Sequence, residues 1–510
     1  MNKAYGLIAG IVAFIIMLLA PIDPSIMPEA ARVTAAVALM MIIFWVTQAI
    51  PIEATALIPL VAFPVLGILT PGEVMPRYAT DTVFLFMGGM MIAMAMQRWN
   101  LHKRIALKII SITGSSPSRL ILGFMIATAF ISMWMSNTAT AMMMVPIAIA
   151  IIATVLPTKH YKDMDDSQKA FAGCMVLGIA YAAGIGGIGT LIGTPANAMF
   201  VQFLADLFPA APTIDFFTWM MFGVPFVAVM IPVMWLWLTK IAYRKMPKNL
   251  DNTKEALNRE IESLGPMGRG EKNTLAVFIL VALCWIFSAD KPIGDITIPG
   301  ISTIFGNLLG MNIVITDGTI AMFGAILLFM LPISFKNHEF TLNWQWAVRI
   351  PWGILILFGG GFALSLAFEK SGLSLWIGNC FSMLNGVPIV LMVLILAFVV
   401  MILTEFTSNS AVASIMIPLM AVLSLSLFVN PMLLMMTVAV ASSLAFMLPV
   451  ATPPNAIAYG TEYVEMKDMI TAGWFLNVIG ILIFTVFLFT LVLAVFGMGV
   501  ELPAWAMITP

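Results

Sequence analysis

Two short polar runs interrupt long apolar stretches of this 510-residue chain: Ser136-Asn137-Thr138 inside SMWMSNTATAMMMVP, and Ser408-Asn409-Ser410 inside TEFTSNSAVASIMIP. Hydroxyls and amides both donate and accept hydrogen bonds. Such runs can therefore face an anion with their N–H and O–H groups, or a hard cation with their oxygens. A single Ser-Asn pair inside a membrane helix reads as an interhelical hydrogen bond. Here the pair is repeated: Ser136, Asn137 and Pro146 return as Ser408, Asn409 and Pro418, 272 positions on. The same offset carries Gly88, Gly89 and Leu101 onto Gly360, Gly361 and Leu373.

A second repeated pair lies downstream. GIGGIGTLIGTPANA (184–198) matches SSLAFMLPVATPPNA (442–456), setting Thr194, Pro195 and Asn197 on Thr452, Pro453 and Asn455 at an offset of 258. The shorter offset fits between the motifs, where the first copy has the charged connector PTKHYKDMDDSQKA and the second a short FVNP link. Proline removes a backbone donor and glycine relaxes the helix, so both segments are expected to unwind. Unwound backbone inside a bilayer survives only beside a cavity or buried in protein. Four such breaks offer helix N-termini to an anion and freed carbonyls and hydroxyls to sodium.

The elements that must position these breaks are membrane helices. Of the residues, 61% are hydrophobic and 10% charged, against roughly 25% charged in soluble proteins. The net charge of -1 offers no basic face to nucleic acid, and Cys174, Cys284 and Cys380 are too few and too scattered for a disulfide framework or metal cluster, so they read as packing residues. Spans long enough for ~30 Å of hydrocarbon are expected near 5–20, 32–50, 54–70, 82–97, 170–207, 217–239, 273–289, 318–334, 350–368, 431–461 and 472–497, eleven in all. The first is read as a retained helix. The apolar stretches 119–156 and 388–429 remain, each with one Ser-Asn pair at its middle.

Charge decides whether those two stretches cross, because cytoplasmic loops collect Lys and Arg. If both turn back as re-entrant hairpins, 20 of the 24 basic residues fall on one side, and only Arg32, Arg77, Lys291 and Lys370 on the other. A crossing at 119–156 would put the Arg98–Arg119 cluster and the Lys159–Lys169 loop in opposite compartments. The expected fold is therefore an all-α integral membrane protein with an inner hairpin at 119–156, an outer hairpin at 388–429, a cytoplasmic N-terminus and an external C-terminus. The copies are then inverted, because the crossings near 82–97 and 350–368 run in opposite directions. The chain divides into an N-terminal helix (1–30), repeat 1 (31–240, with broken helix 170–207), a cytoplasmic loop (241–272) and repeat 2 (273–510, with broken helix 431–461 and last helix 472–497).

These motifs resemble the paired signature of the divalent anion–sodium symporter family, whose members carry dicarboxylates, citrate or sulfate, and the likeness runs over roughly residues 30–500. It implies a homodimer in the cell (inner) membrane, with a scaffold domain and a transport domain that moves elevator-fashion. It implies no cofactor beyond sodium as coupling ion, with two sodium sites flanking one divalent anion, most simply a C4-dicarboxylate. Carried onto this chain, one sodium site uses Ser132, Ser136, Asn137 and Gly193, and the other Thr404, Ser408, Asn409 and Ala451. The anion would meet Ser136, Asn137, Thr138, Thr194, Ser408, Asn409, Ser410 and Pro453. Ser410 departs from the family's threonine by one methyl, keeping the hydroxyl. Sodium-independent exchange, or sulfate as substrate, remains open on the same fold.

Other residues read plainly. His102, His160 and His338 fall in connectors and are expected to be solvated; no nucleophile has a histidine beside it, so an enzyme is not expected. A channel would need a ring of selectivity groups. Glu405, three residues before Ser408, is an intramembrane carboxylate and so a functional candidate, but its match, Met133, is apolar, which favours structural hydrogen bonding. Glu53 and Glu369 are expected to reach the interface from helix ends, and the 42 methionines to fill helix contacts.

Overall fold

The computed structural model describes residues 3–156, 158, 163–247, 249–250, 252–293, 296–380 and 386–507. Lys159, His160 and Lys162 of the first connector, and Lys248, lie outside them. The chain is mostly helical, and nine helices are long and apolar enough to cross a membrane among the described residues. Shorter apolar helices include Lys3–Leu19, Ile52–Val65, Pro117–Ser132, Asp317–Met330 and Pro431–Ala441. Their short length follows from their sequences: Pro64 lies inside Ile58–Val65, and the turn past Ala441 opens into the Pro-rich segment ahead of Pro453.

Both hairpins form. Pro117–Ser132 and Asn137–Val155 are joined by four residues, and Ile389–Phe406 and Asn409–Ser426 by Thr407 and Ser408. The first turns back on one face, because the Thr253–Glu262 helix packs against both Leu101–Thr113 before the hairpin and Asn137–Val155 within it. On that face Arg98 pairs with Glu339 at 3.0 Å, Lys103 with Glu260 at 2.8 Å and Arg104 with Glu271. Another group of pairs joins Arg77 to Asp206 at 3.1 Å, Lys291 to Asp215 and Lys370 to Glu73 at 3.8 Å. Each group holds basic residues that the charge rule assigned to a single side, three of the twenty in the first and three of the four in the second.

The repeats interleave. Asp166–Gly187 packs on Pro117–Ser132 of its own hairpin, whereas Pro195–Leu207, past the break, packs on Asn409–Ser426 of the other. In the second copy Pro431–Ala441 packs on its own hairpin, and Pro453–Tyr459 on Asn137–Val155. Glycine permits the same exchange among the outer helices. A Cβ on Gly88 would meet the Ala321 carbonyl carbon at 2.5 Å, and one on Gly360 the Ala56 carbonyl oxygen at 2.5 Å. The repeat-1 helix Asp81–Arg98 thus lies on the repeat-2 helix Asp317–Met330, and Trp352–Lys370 lies on Ile52–Ala56.

Some elements lie outside the expected spans. A short antiparallel pair (Lys291–Ile293 with Ile296–Ile298) and the Ile301–Leu309 helix lie between the spans expected near 273–289 and 318–334. Leu101–Thr113 is an amphipathic helix whose apolar face packs inward, so His102 is 4% exposed rather than solvated, with Nδ1 2.8 Å from the Met96 carbonyl. Burial pushes its imidazole pKa below the usual value, Lys103 adds to that, and the Met96 carbonyl opposes it. Cys174 is buried as expected, while Cys380 is exposed.

Candidate functional site

The helices Asn137–Val155 and Asn409–Ser426 begin at the hairpin tips, with Ser136 and Ser408 as N-caps in extended conformation. Ser136 Oγ accepts the Ala139 N–H at 3.3 Å. Past the breaks, Pro195–Leu207 and Pro453–Tyr459 begin after Thr194 and Thr452, both also extended. Proline suits the first helical position because its missing N–H would be unpaired there anyway. The sequence thus makes each break a clean helix start.

All four starts meet at one cavity of about 370 Å³. Ser136, Asn137 and Thr138 line it from the first tip, and Ser408, Asn409 and Ser410 from the second. Gly193, Thr194 and Pro195 line it from the first break, and Ala451, Thr452 and Pro453 from the second. Every residue expected in the anion site is present. Ser132 and Thr404 stand behind the lining, each fully buried.

Behind each tip the chemistry repeats. Ser132 Oγ donates to Asn137 Oδ1 at 2.7 Å and lies 2.8 Å from the Ala183 carbonyl. Thr404 Oγ1 lies 2.5 Å from Asn409 Oδ1 and 2.9 Å from the Ser442 carbonyl. A hydroxyl has one proton for these two acceptors. Three oxygens therefore converge at each tip with too few protons among them, the donor set a hard cation favours. In the first half Gly193 closes on the same place: a Cβ on Gly187 would meet Asn137 Oδ1 at 2.6 Å and the Gly193 carbonyl at 3.0 Å. With each asparagine's Oδ1 taken, its Nδ2 is the group left for the cavity.

The breaks are also fastened alike. Asn197 Nδ2 donates to the carbonyls of Gly187 at 3.1 Å and Thr190 at 2.7 Å, and Asn455 Nδ2 to those of Ala445 at 3.0 Å and Leu448 at 3.1 Å. Their alignment at one offset was legible in the sequence, but not their task. Asn197 and Asn455 are buried, holding the unwound turns rather than facing a ligand.

The cavity wall contains residues that sequence reasoning missed. Gln48, Ile52, Glu53, Phe86, Gly353 and Leu357 come from the surrounding helices. Glu53, expected near the interface from a helix end, also lines this space and packs against Gly353, where a Cβ would meet its Oε1 at 2.6 Å. Among the described residues no lysine, arginine or histidine lines the cavity. An anion here would rest on neutral donors and helix N-termini, the longer three being Asn137–Val155, Pro195–Leu207 and Asn409–Ser426.

Comparison with known proteins gives a consistent picture. Residues 1–496 match the family described as the sodium:sulfate symporter transmembrane region. The sodium-dependent dicarboxylate transporter SdcS of Staphylococcus saprophyticus is 39% identical over 509 residues, covering 98% of this chain and 95% of that protein. SdcS of Staphylococcus aureus strain MRSA252 is 39% identical over 510 residues, covering 98% and 94%. Among solved structures, the YdaH transporter of Alcanivorax borkumensis superposes with a TM-score of 0.56 at 15% identity, over 84% of this chain and 88% of that one. MtrF of Neisseria gonorrhoeae gives 0.54 at 13% identity, over 84% and 85%. At these identities the structural likeness concerns the fold alone.

Proposed function

The chain belongs to the sodium:sulfate symporter family, and on that premise we propose that it is a sodium-coupled symporter of divalent anions, with C4-dicarboxylates such as succinate, malate or fumarate as substrates. One observation carries the reading: both hairpin tips and both helix breaks meet in a single cavity without a cationic side chain. A dianion entering it must be balanced by charge brought along. Two sodium ions, one at Ser132, Ser136, Asn137 and Gly193 and the other at Thr404, Ser408, Asn409 and Ala451, supply that balance. The anion then sits between the tips, facing Asn137, Thr138, Thr194, Asn409, Ser410 and Pro453. The preference for dicarboxylates over sulfate rests on the relatives at 39% identity.

Access follows from the topology that charge predicts. Gln48, Ile52, Glu53, Gly353 and Ile354 line the cavity and stand at the cytoplasmic ends of their helices. The site therefore faces inward in this conformation. Movement of the hairpins and broken helices against the remaining helices, as an elevator within each protomer of a homodimer, would expose it outside.

Uptake of labelled succinate into vesicles tests the proposal, with and without an inward sodium gradient and with malate, fumarate, 2-oxoglutarate, citrate and sulfate as competitors. Saturable, sodium-dependent uptake inhibited by the C4 acids is the expected outcome. Uptake indifferent to sodium and dependent on internal counter-substrate would replace symport by exchange, and strong competition by sulfate alone would replace the substrate.

A further inference from the structure

Glu405 has no task in the site just described. It is 1% exposed and does not line the cavity. Its Oε1 accepts the N–H groups of Phe446 at 2.8 Å and Met447 at 2.9 Å, and its Oε2 that of Leu448 at 3.0 Å. Asn477 Nδ2 donates to Oε1 at 2.6 Å, and its Oδ1 shares the Phe446 N–H at 3.2 Å. Successive backbone N–H groups curled around one anion form a small concave binding surface. Here the anion is a side chain of the same protein.

The inverted repeat supplies an internal control. By the two offsets, Glu405 corresponds to Met133, 446–448 to 188–190, and Asn477 to Trp219. At the first break the N–H groups of Ile188 and Gly189 are taken by the carbonyls of Ile185 at 3.1 Å and Gly186 at 2.9 Å. The Thr190 hydroxyl donates to the Met133 carbonyl, and Trp219 Nε1 to the Ile188 carbonyl at 2.9 Å. The first break closes on its own turns. The second is held open by a carboxylate reaching across from its hairpin.

We propose that Glu405, oriented by Asn477, is a positioning residue that sets the shape of 446–448 and so places Ala451, Thr452 and Pro453 at the cavity, making the second half of the site dependent on a buried carboxylate as the first is not. The carboxylate is required because it accepts at both oxygens, whereas a glutamine would turn its NH2 toward a backbone N–H. An N–H left unpaired inside the membrane is costly. The proposal deepens the symport reading and takes its sodium from it; the positioning itself does not depend on which ion binds.

The test uses the full-length protein with Cys174, Cys284 and Cys380 replaced by alanine. One reporter cysteine is placed by Val450→Cys, which is 67% exposed and lines the cavity, or by its repeat equivalent Ile192→Cys, also in the lining. Maleimide labelling rates are compared with and without sodium, in parent and Glu405→Gln proteins. The expected result is a change of about tenfold at position 450 in Glu405→Gln, the scale of one lost hydrogen bond to a charged group. Sodium protection should be lost there, while position 192 keeps its parental rate and protection. Asn477→Ala, which leaves the carboxylate in place, should move position 450 in the same direction by less, and serves if Glu405→Gln does not reach the membrane. Equal changes at both positions, or none at 450, would overturn the proposal. If sodium protects neither reporter in the parent, the symport reading fails, and the sodium-free rates still decide the role of Glu405.

Discussion

At the residue scale, Asn137 and Asn409 each commit their amide oxygen to a hydroxyl behind the cavity lining. The oxygen is held by Ser132 or Thr404 at 2.7 and 2.5 Å, which leaves the nitrogen as the amide's donor in a residue that lines the cavity. Asn137→Ala and Asn409→Ala should therefore each remove one hydrogen bond to a carboxylate, worth about 1.5 to 3 kcal/mol, and lower succinate affinity by roughly tenfold to a hundredfold. In the sodium sites proposed above, Ser132→Ala and Thr404→Ala instead delete one oxygen ligand behind the lining. Half-maximal uptake should then need more sodium, with near-normal succinate affinity once sodium saturates. Concentration series in both solutes separate these classes, and wild-type kinetics in both asparagine variants would remove the tips from the site. The polar residues of the tips were readable in the sequence because they repeat at one offset. Glu53 was not, since its place on the cavity wall comes from packing between helices distant in the chain.

At the scale of elements, hydrophobicity and charge were enough to find the hairpins, because each apolar stretch carries a repeated Ser-Asn pair at its middle and folding both back segregates the basic residues. Boundaries were less legible: Met466–Val495 begins ahead of its expected span, since the helix starts at the charged residues Lys467 and Asp468, before the apolar run that the sequence marks. The Ile301–Leu309 helix went unseen because its nine residues are too few to span and too apolar to read as loop. The fold also changes how sidedness is best measured. Lys291 pairs with Asp215 and its side chain is only 15% exposed, so Thr297, exposed on the same connector, is the better external reporter. In a cysteine-free background, Thr297→Cys should react with an impermeant maleimide on intact cells, whereas Asp163→Cys and Lys254→Cys should react only after permeabilisation. Labelling of Asp163→Cys from outside would mean that 119–156 crosses.

At the scale of the whole molecule, the cavity and the pairs at the other end belong to one arrangement. Arg77 holds Asp206 at 3.1 Å, Thr82 Oγ1 donates to Gln202 Oε1 at 2.7 Å, and Asp317 Oδ2 accepts the Phe216 N–H at 2.8 Å. Each contact joins an outer helix end of the surrounding scaffold to a segment continuous with the first broken helix. The outward movement proposed above must break them. Asp206→Asn should shift the balance by about 1 kcal/mol or less, the worth of a partly exposed pair, and raise external labelling of a Val450→Cys reporter by up to roughly fivefold; unchanged labelling would show that the outer contacts do not set it. The interleaving of Gly88 with Ala321 and of Gly360 with Ala56 reaches further, into how the protein is made. A ribosome releases the Asp81–Arg98 helix long before its partner Asp317–Met330 exists, and Pro195–Leu207 before the hairpin it leans on. The first repeat must wait in the bilayer with these faces unfilled, and a chain stopped short of Asp317 offers quality-control proteases an unfinished surface. Duplication gave this architecture two copies of one sequence plan, and exchange of partners leaves each copy packing its helices against the other.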